Sequence, residues 1–133
     1  RLSTSEARRA MPKEIPISDA VENLGALTLL LQGLRTGSGD LITDGMHDRL
    51  HEPYRWPLIK GGLDVRDAAL NAGAWGCAIS GAGPSVLALC PEEHGSAVSQ
   101  AMVKAWEAAG VASRAPLLSI QTAGSHWQPQ SDE

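Results

Sequence analysis

The chain has 133 residues and a mass of 14.0 kDa, which is enough for one domain and too little for two. Its net charge of −4 argues against a general binder of nucleic acids or of anionic membranes, because both need a basic surplus. Two cysteines cannot form a disulfide scaffold, and no apolar run is long enough to cross a bilayer. We therefore expect one globular domain in a reducing compartment.

Five helices are predicted from capping residues and from the spacing of apolar residues. They cover residues 3–10, 19–36, 40–50, 64–72 and 94–109. The second carries leucines on much of its circumference, so we expect it to be largely buried. The third is expected to stop before Pro53 and to place His47 and His51 on one face.

Three short strands are predicted at residues 75–79, 85–90 and 116–122. The order of elements predicts an α+β fold, a ferredoxin-like split βαβ sandwich with inserted helices that lacks its first strand. The missing strand and the start at Arg1 rather than Met predict that the chain is a piece of a longer polypeptide. The polar tail at residues 125–133 is expected to fray.

The most distinctive motif is the glycine-rich turn at residues 80–85, with the sequence SGAGPS. Its glycines allow close backbone approach and positive φ, so that successive N–H groups can point at an anion such as phosphate. A tight hairpin whose glycines serve geometry alone is the alternative. The turn is not a P-loop, since no Lys-Ser or Lys-Thr follows, and a strand rather than a helix comes next.

Two arginines form a second candidate site. Arg8 lies in the first predicted helix, and Arg55 lies beside two prolines that stiffen its backbone. Guanidinium groups bind carboxylates and phosphates through paired donors, so a converging pair would clamp an amino-acid carboxylate. The alternative is that both are solvated surface charges.

His47 and His51 form a degraded zinc-protease pattern, in which Asp48 stands where that pattern has glutamate. A third ligand would have to come from His94 or His126, each in a different element. The two cysteines, Cys77 and Cys90, fall in the paired strands and are expected to be core thiols.

Taken together, four segments resemble the C-terminal domain of the homoserine kinase family, within the GHMP small-molecule kinase superfamily. The segments are residues 3–12 (STSEARRAMP), 19–23 (DAVEN), 48–55 (DRLHEPYR) and 73–85 (GAWGCAISGAGPS). The resemblance implies transfer of the γ-phosphoryl group of ATP to the hydroxyl of L-homoserine, with Mg²⁺, in threonine biosynthesis. It implies a cytoplasmic protein, or a plastid one in a plant.

The resemblance also implies roles for individual residues. Arg8 and Arg55 match the arginines that hold the homoserine carboxylate, Thr4 begins the same helix as Arg8, and Asn23 and His51 fit positions that line or support the site. The superfamily's third motif, next to the phosphates, corresponds to Ser80, Gly81, Ala82, Gly83 and Ser85. No catalytic residue is assigned to this chain.

The implied domain spans residues 1–124 and is followed by the polar tail. The family's ATP-binding loop belongs to an N-terminal domain outside this sequence, so we expect the chain alone to be inactive. Its implied partners are L-homoserine and that N-terminal domain, with a homodimer also considered.

Three alternatives remain open at this point. One is a sister kinase acting on mevalonate-type or sugar acceptors, although sugars offer no carboxylate to a pair of arginines. Another is a non-catalytic ferredoxin-like module that binds an amino acid at a subunit interface. The third is a small metal-binding protein that uses His47 and His51.

Overall fold

The computed structural model describes residues 2–120 and Gly124. Its helices are α1 (Thr4–Arg9), α2 (Ile17–Thr36), α3 (Gly39–Gly45), α4 (Glu52–Arg55), α5 (Gly62–Asn71) and α6 (Gly95–Ala108), and its strands are β1 (Gly76–Ile79) and β2 (Val86–Leu89). Short 3₁₀ turns follow α4 at Trp56–Leu58 and precede α6 at Glu92–His94. No helix in this described part is long and apolar enough to cross a membrane.

Helix α1 begins where its capping residues predict. The Ser3 hydroxyl accepts a hydrogen bond from the Glu6 amide, and the Glu6 carboxylate accepts one from the Ser3 amide, which completes a capping box. Ala7 lies on the buried face of this helix. Thr4 therefore begins α1, and Arg8 lies in its last turn.

Helix α2 ends where predicted, but its predicted burial is wrong. Gly37, which adopts φ +71, caps its C-terminus, and the helix begins at Ile17, after Pro16, rather than at residue 19. The helix packs on the seven-residue α3, which covers only one of its sides. Its exposed large apolar residues are Ile17, Val21, Leu24, Leu27, Leu29, Leu31 and Leu34.

Helix α3 is shorter than predicted, because it ends at Gly45 rather than near residue 50. The Asp48 carboxylate accepts hydrogen bonds from the amides of Leu50 and His51, and such local bonds compete with helical ones. Pro53 lies in the first turn of α4 instead of ending a helix. His47 and His51 consequently do not share a helical face.

Strands β1 and β2 form an antiparallel hairpin in which Ile79 pairs with Val86. Helix α5 packs on both strands and on α6, and it begins at Gly62, after Gly61 (φ +73), rather than at residue 64. The buried core contains Trp56, Ile59, Val65, Ala69, Cys77, Val98, Met102 and Trp106. This core supports the hairpin from one side.

The α+β class is confirmed, but the third predicted strand is not. Residues 116–120 form no ladder with β1 or β2, and residues 121 and 122 lie outside the described part. Leu118 and Ile120 are 80% and 72% exposed, and the preceding carbonyl of Ala115 accepts a hydrogen bond from Ser99 on α6 at 2.7 Å. A β-strand is defined by hydrogen bonds to a neighbouring strand, and no strand among the described residues pairs with residues 116–120. The predicted tail at residues 125–133 is also outside the described residues.

Candidate anion site at the hairpin turn

The glycine-rich turn closes the β1–β2 hairpin as predicted. The Ser80 amide donates to the Ser85 carbonyl at 2.9 Å, and the Gly83 amide donates to the Ser80 carbonyl at 3.1 Å. Gly81 and Gly83 have φ values of +63 and +82, a region that other residues rarely adopt. Both glycines are therefore needed for the path of the chain.

The two glycines of the turn differ in their surroundings. A Cβ at Gly83 would lie 2.9 Å from Cδ1 of Ile59, whereas a Cβ at Gly81 would meet nothing within 4 Å. Gly83 thus faces the core, and Gly81 faces open space. Within residues 2–120, the amides of Gly81 and Ala82 have no backbone or side-chain acceptor. These two N–H groups can donate to an anion bound outside the turn.

Arg55, the last residue of α4, reaches the same turn. Its Nη1 donates to the carbonyl of Gly81 at 3.1 Å. Its Nε is buried and has no hydrogen-bond partner among the described residues. A buried donor without an acceptor costs free energy, and a carboxylate or phosphate oxygen would satisfy it.

Glu52, at the start of α4, contacts the end of β1. Its Oε1 accepts a hydrogen bond from the Ile79 amide at 2.9 Å, and its Oε2 accepts one from Nε1 of Trp56 at 3.1 Å. Sequence analysis missed this residue. The only signal it offered was that Glu52 lies three residues before Arg55 in the segment that resembles a known family.

Asp48 organises the segment between α3 and α4, and sequence analysis gave it no role beyond the metal pattern. Its Oδ1 accepts a hydrogen bond from the Asn23 side chain at 3.0 Å, and its Oδ2 lies 3.0 Å from Nδ1 of His51. Burial raises the pKa of Asp48, but hydrogen bonds from Asn23, Leu50 and His51 outweigh it, so the pKa is lowered overall. The carboxylate therefore remains charged.

Asn23 also accepts a hydrogen bond from the Arg49 amide at 2.8 Å, which joins α2 to this segment. Arg49 forms exposed ion pairs with Glu22 at 2.7 Å and Asp19 at 3.5 Å. Such surface pairs contribute about 0–1 kcal/mol each. The hydrogen bonds of Asn23 are thus the main polar link between α2 and the Asp48 segment.

Several predicted site residues share one cleft, which has a volume of about 640 Å³. Its polar lining consists of Asp48, His51, Glu52 and Arg55. Side chains from the sheet and from α2, among them Ile79, Leu87 and Leu30, form its apolar walls together with the end of α3. The structure therefore brings His51 and Arg55 together, with Asn23 attached through Asp48.

The remaining predicted residues, Arg8 and Thr4, are exposed on α1. Neither forms a hydrogen bond with Arg55 or with the turn in the part of the chain that the structure describes. The start of α1 is nevertheless close to the turn, because a Cβ at Gly83 would lie 3.5 Å from the Leu2 side chain. Convergence of the two arginines stays a prediction.

The two cysteines and His94 are placed by packing and hydrogen bonding and not as part of the candidate site. Burial, with a contribution from Glu52, raises the pKa of Cys77 to about 12, and burial also raises the pKa of Cys90. Nδ1 of His94 lies 3.3 Å from the Gly73 carbonyl. Residues 2–120 contain no cluster of three or more His, Cys, Asp or Glu side chains that could hold a metal ion, and His126 lies outside them.

Comparison with known proteins gives consistent similarities. Residues 26–108 match the family model described as GHMP kinases C terminal. Over all 133 residues the chain is 92% identical to a homoserine kinase of Prochlorococcus marinus (strain MIT 9303) and 83% identical to one of Synechococcus sp. (strain CC9311). It spans 42% of the length of each of these relatives.

A solved structure is similar as well. The crystal structure of homoserine kinase from Cytophaga hutchinsonii superposes with a TM-score of 0.77 at 42% sequence identity. The match covers 81% of this chain and 35% of that protein.

Proposed function

The chain belongs to the family of GHMP kinase C-terminal domains, and on this basis we propose that it acts as the acceptor-binding part of a homoserine kinase. The reaction is transfer of the γ-phosphoryl group of ATP to the hydroxyl of L-homoserine, giving O-phospho-L-homoserine for threonine biosynthesis. The observation that carries this proposal is the 92% identity over the whole chain to a protein named homoserine kinase.

Arg55 is proposed to bind the homoserine carboxylate. Its Nη1 is already held by the Gly81 carbonyl, so that the guanidinium has a fixed orientation, while its buried Nε lacks an acceptor among the described residues. A carboxylate oxygen would supply that acceptor through a charge-assisted hydrogen bond. Arg8 is proposed as the second arm of this clamp, with Thr4 and His51 as supporting residues.

The turn at residues 80–85 is proposed to lie next to the transferring phosphoryl group. The amides of Gly81 and Ala82 have no acceptor within residues 2–120, so they can donate to phosphate oxygens. Gly81 would then serve two purposes, since its carbonyl holds Arg55 and its amide would donate to the phosphate. Phosphoryl transfer depends chiefly on such positioning of donor and acceptor.

The nucleotide is proposed to be held mainly by an N-terminal domain that this chain does not contain. ATP supplies the phosphoryl group, and Mg²⁺ would neutralise charge on its phosphates. The described residues form no cluster that fits a metal ion, so we assign Mg²⁺ no ligand here. This chain contributes binding and orientation of the acceptor, and we expect it to be inactive by itself.

The proposal extends to the protein's surroundings. The partners are L-homoserine and the N-terminal domain, and a homodimer is the proposed form of the assembled enzyme. The location is proposed to be the cytoplasm, in keeping with the reduced thiols expected of Cys77 and Cys90.

The test uses the full-length protein that contains this chain. Incubation with ATP and L-homoserine should give ADP and one new phosphomonoester signal by ³¹P NMR, and mevalonate or galactose should not replace homoserine. Calorimetric titration of the 133-residue chain with ATP should show no strong binding. Phosphorylation of mevalonate or a sugar in preference to homoserine would contradict the proposed substrate, and turnover by the chain alone would contradict the division between domains.

A further inference from the structure

Glu52 connects three parts of the molecule through one carboxylate. It belongs to α4, its Oε1 accepts a hydrogen bond from the Ile79 amide, and its Oε2 accepts one from the indole of Trp56. Ile79 is the last residue of β1, directly before the glycine-rich turn, and Trp56 is buried in the core. Both oxygens of Glu52 are therefore engaged.

Arg55 forms a second link between the same two elements. It lies three residues after Glu52 in α4 and contacts the carbonyl of Gly81, two residues beyond Ile79. Residues three apart lie on the same side of a helix. Helix α4 is thus attached to the hairpin at two neighbouring points, one through Glu52 and one through Arg55.

We propose that Glu52 is a positioning residue for the phosphoryl transfer, and this inference rests on the proposed function. It holds α4 against the end of β1, so that the guanidinium of Arg55 and the amides of Gly81 and Ala82 keep one fixed separation. Carboxylate binding by Arg55 and phosphate binding at the turn then occur on one rigid unit. Errors of about 1 Å in such a separation are costly to rate. Glu52 itself contacts neither group.

The chemistry requires a carboxylate at this position. Both partners of Glu52 are N–H donors, so each of its two oxygens must accept. In a Glu52→Gln variant the remaining oxygen can turn towards the Ile79 amide and keep that link, whereas Glu52→Ala removes both acceptors and with them the attachment of α4 to β1. Aspartate is one methylene shorter and keeps the charge, but it is not long enough to hold both contacts.

The experiment measures steady-state kinetics of the full-length protein with the Glu52→Ala substitution. We expect the KM for homoserine to rise by about tenfold, while the KM for ATP changes less than about twofold. The matched control is Glu107→Ala, the same change on an exposed residue of α6, which should leave both KM values unchanged.

A Trp56→Phe variant separates positioning from stability. It removes the indole donor and lowers the melting temperature, but it keeps the bond between Glu52 and Ile79. We expect its homoserine KM to stay within about twofold of the unsubstituted value. If the Glu52→Ala protein does not fold, Glu52→Asp takes its place and should give an intermediate rise in homoserine KM.

Two results would overturn the inference. One is an unchanged homoserine KM in the folded Glu52 variant, and the other is a rise in KM that follows the loss of stability equally in the Glu52 and Trp56 variants. Failure of the unsubstituted protein to phosphorylate homoserine is a different result, because it contradicts the proposed function itself.

Discussion

The guanidinium of Arg55 lies 3.1 Å from the carbonyl oxygen of Gly81, a residue 26 positions further along the chain. The contact joins the two candidate features that sequence analysis identified separately, an arginine typical of carboxylate binding and a turn typical of phosphate binding. The Nε of Arg55 and the amides of Gly81 and Ala82 remain without an acceptor among residues 2–120. One small region can therefore contact both ends of a substrate that carries a carboxylate and receives a phosphoryl group.

The two glycines of the turn allow a matched test of its packing. Gly81→Ala adds a methyl group in open space and should cost only the strain of positive φ, about 1–2 kcal/mol of unfolding free energy. Gly83→Ala has the same strain and also brings a methyl group to 2.9 Å from Ile59, so it should cost more by about 1–3 kcal/mol. Urea denaturation measures both, and equal losses would contradict the assigned contact of Gly83 with the core.

The packing of α2 on α3 can be tested in the same way. A methyl group at Gly45 would overlap the backbone of Leu30, so Gly45→Ala should destabilise the chain by about 2 kcal/mol or more. Gly25 lies in α2 with nothing near its Cβ position, and Gly25→Ala should stabilise by about 0.5–1 kcal/mol through helix propensity. Thermal unfolding followed by circular dichroism distinguishes the two, and destabilisation by Gly25→Ala would show that α2 is covered on that side.

Asp48 should make stability sensitive to acid. Its pKa is lowered from 3.8 in the folded chain, so its stabilising contribution is present above about pH 4 and is lost as the pH falls through the folded value. Unfolding free energies of Asp48→Asn should therefore depend less on pH below about 4 than those of the unsubstituted chain. Asp44→Asn, which changes an exposed residue of α3, is the control. Parallel curves for Asp48→Asn and the unsubstituted chain would contradict the assigned hydrogen bonds.

Cys77 should make stability sensitive to alkali. Its folded pKa of about 12 lies above the value of 9.0 for a free thiol, so its contribution is full below pH 9 and is lost as the pH rises towards 12. Across this range the unfolding free energy of the unsubstituted chain should fall by up to about 1.4 kcal/mol per pH unit more than that of Cys77→Ala. Cys90→Ala should have a smaller effect, because that thiol is less buried. An identical alkaline slope for Cys77→Ala and the unsubstituted chain would contradict the burial of this thiol.

Local signals were sufficient to predict part of this molecule. The start of α1 within residues 3–5, the end of α2 at Gly37 and the hairpin around Gly81 all follow from residues whose geometry admits few alternatives. The predicted burial of α2 was wrong because the periodicity of apolar residues does not show whether another element covers them. The prediction that the third helix continues over residues 46–50 was wrong because the Asp48 side chain accepts hydrogen bonds from backbone amides of this segment, and such bonds compete with those of a helix.

The contacts of the candidate site were harder to predict than its residues. The sequence pointed to Arg55 and the turn, but it contained nothing to indicate that the guanidinium contacts Gly81 or that Glu52 links α4 to Ile79. These contacts depend on how α4 lies against the hairpin, which is a tertiary arrangement between segments distant in sequence. The placement of Arg8 relative to Arg55 is of the same kind, and it stays a prediction.

The most direct test compares two substrates of the full-length protein, L-homoserine and 3-amino-1-propanol, which keeps the amine and the hydroxyl but has no carboxylate. If Arg55 binds the carboxylate, Arg55→Ala should lower kcat/KM for homoserine by about 10- to 150-fold. This corresponds to about 1.5–3 kcal/mol, the free energy of a lost hydrogen bond to a charged group. For the amino alcohol the same substitution removes only the contact with Gly81, so kcat/KM should fall much less than it does for homoserine. An equal loss of kcat/KM with both substrates would contradict the account, since the contribution of Arg55 would then not depend on the carboxylate.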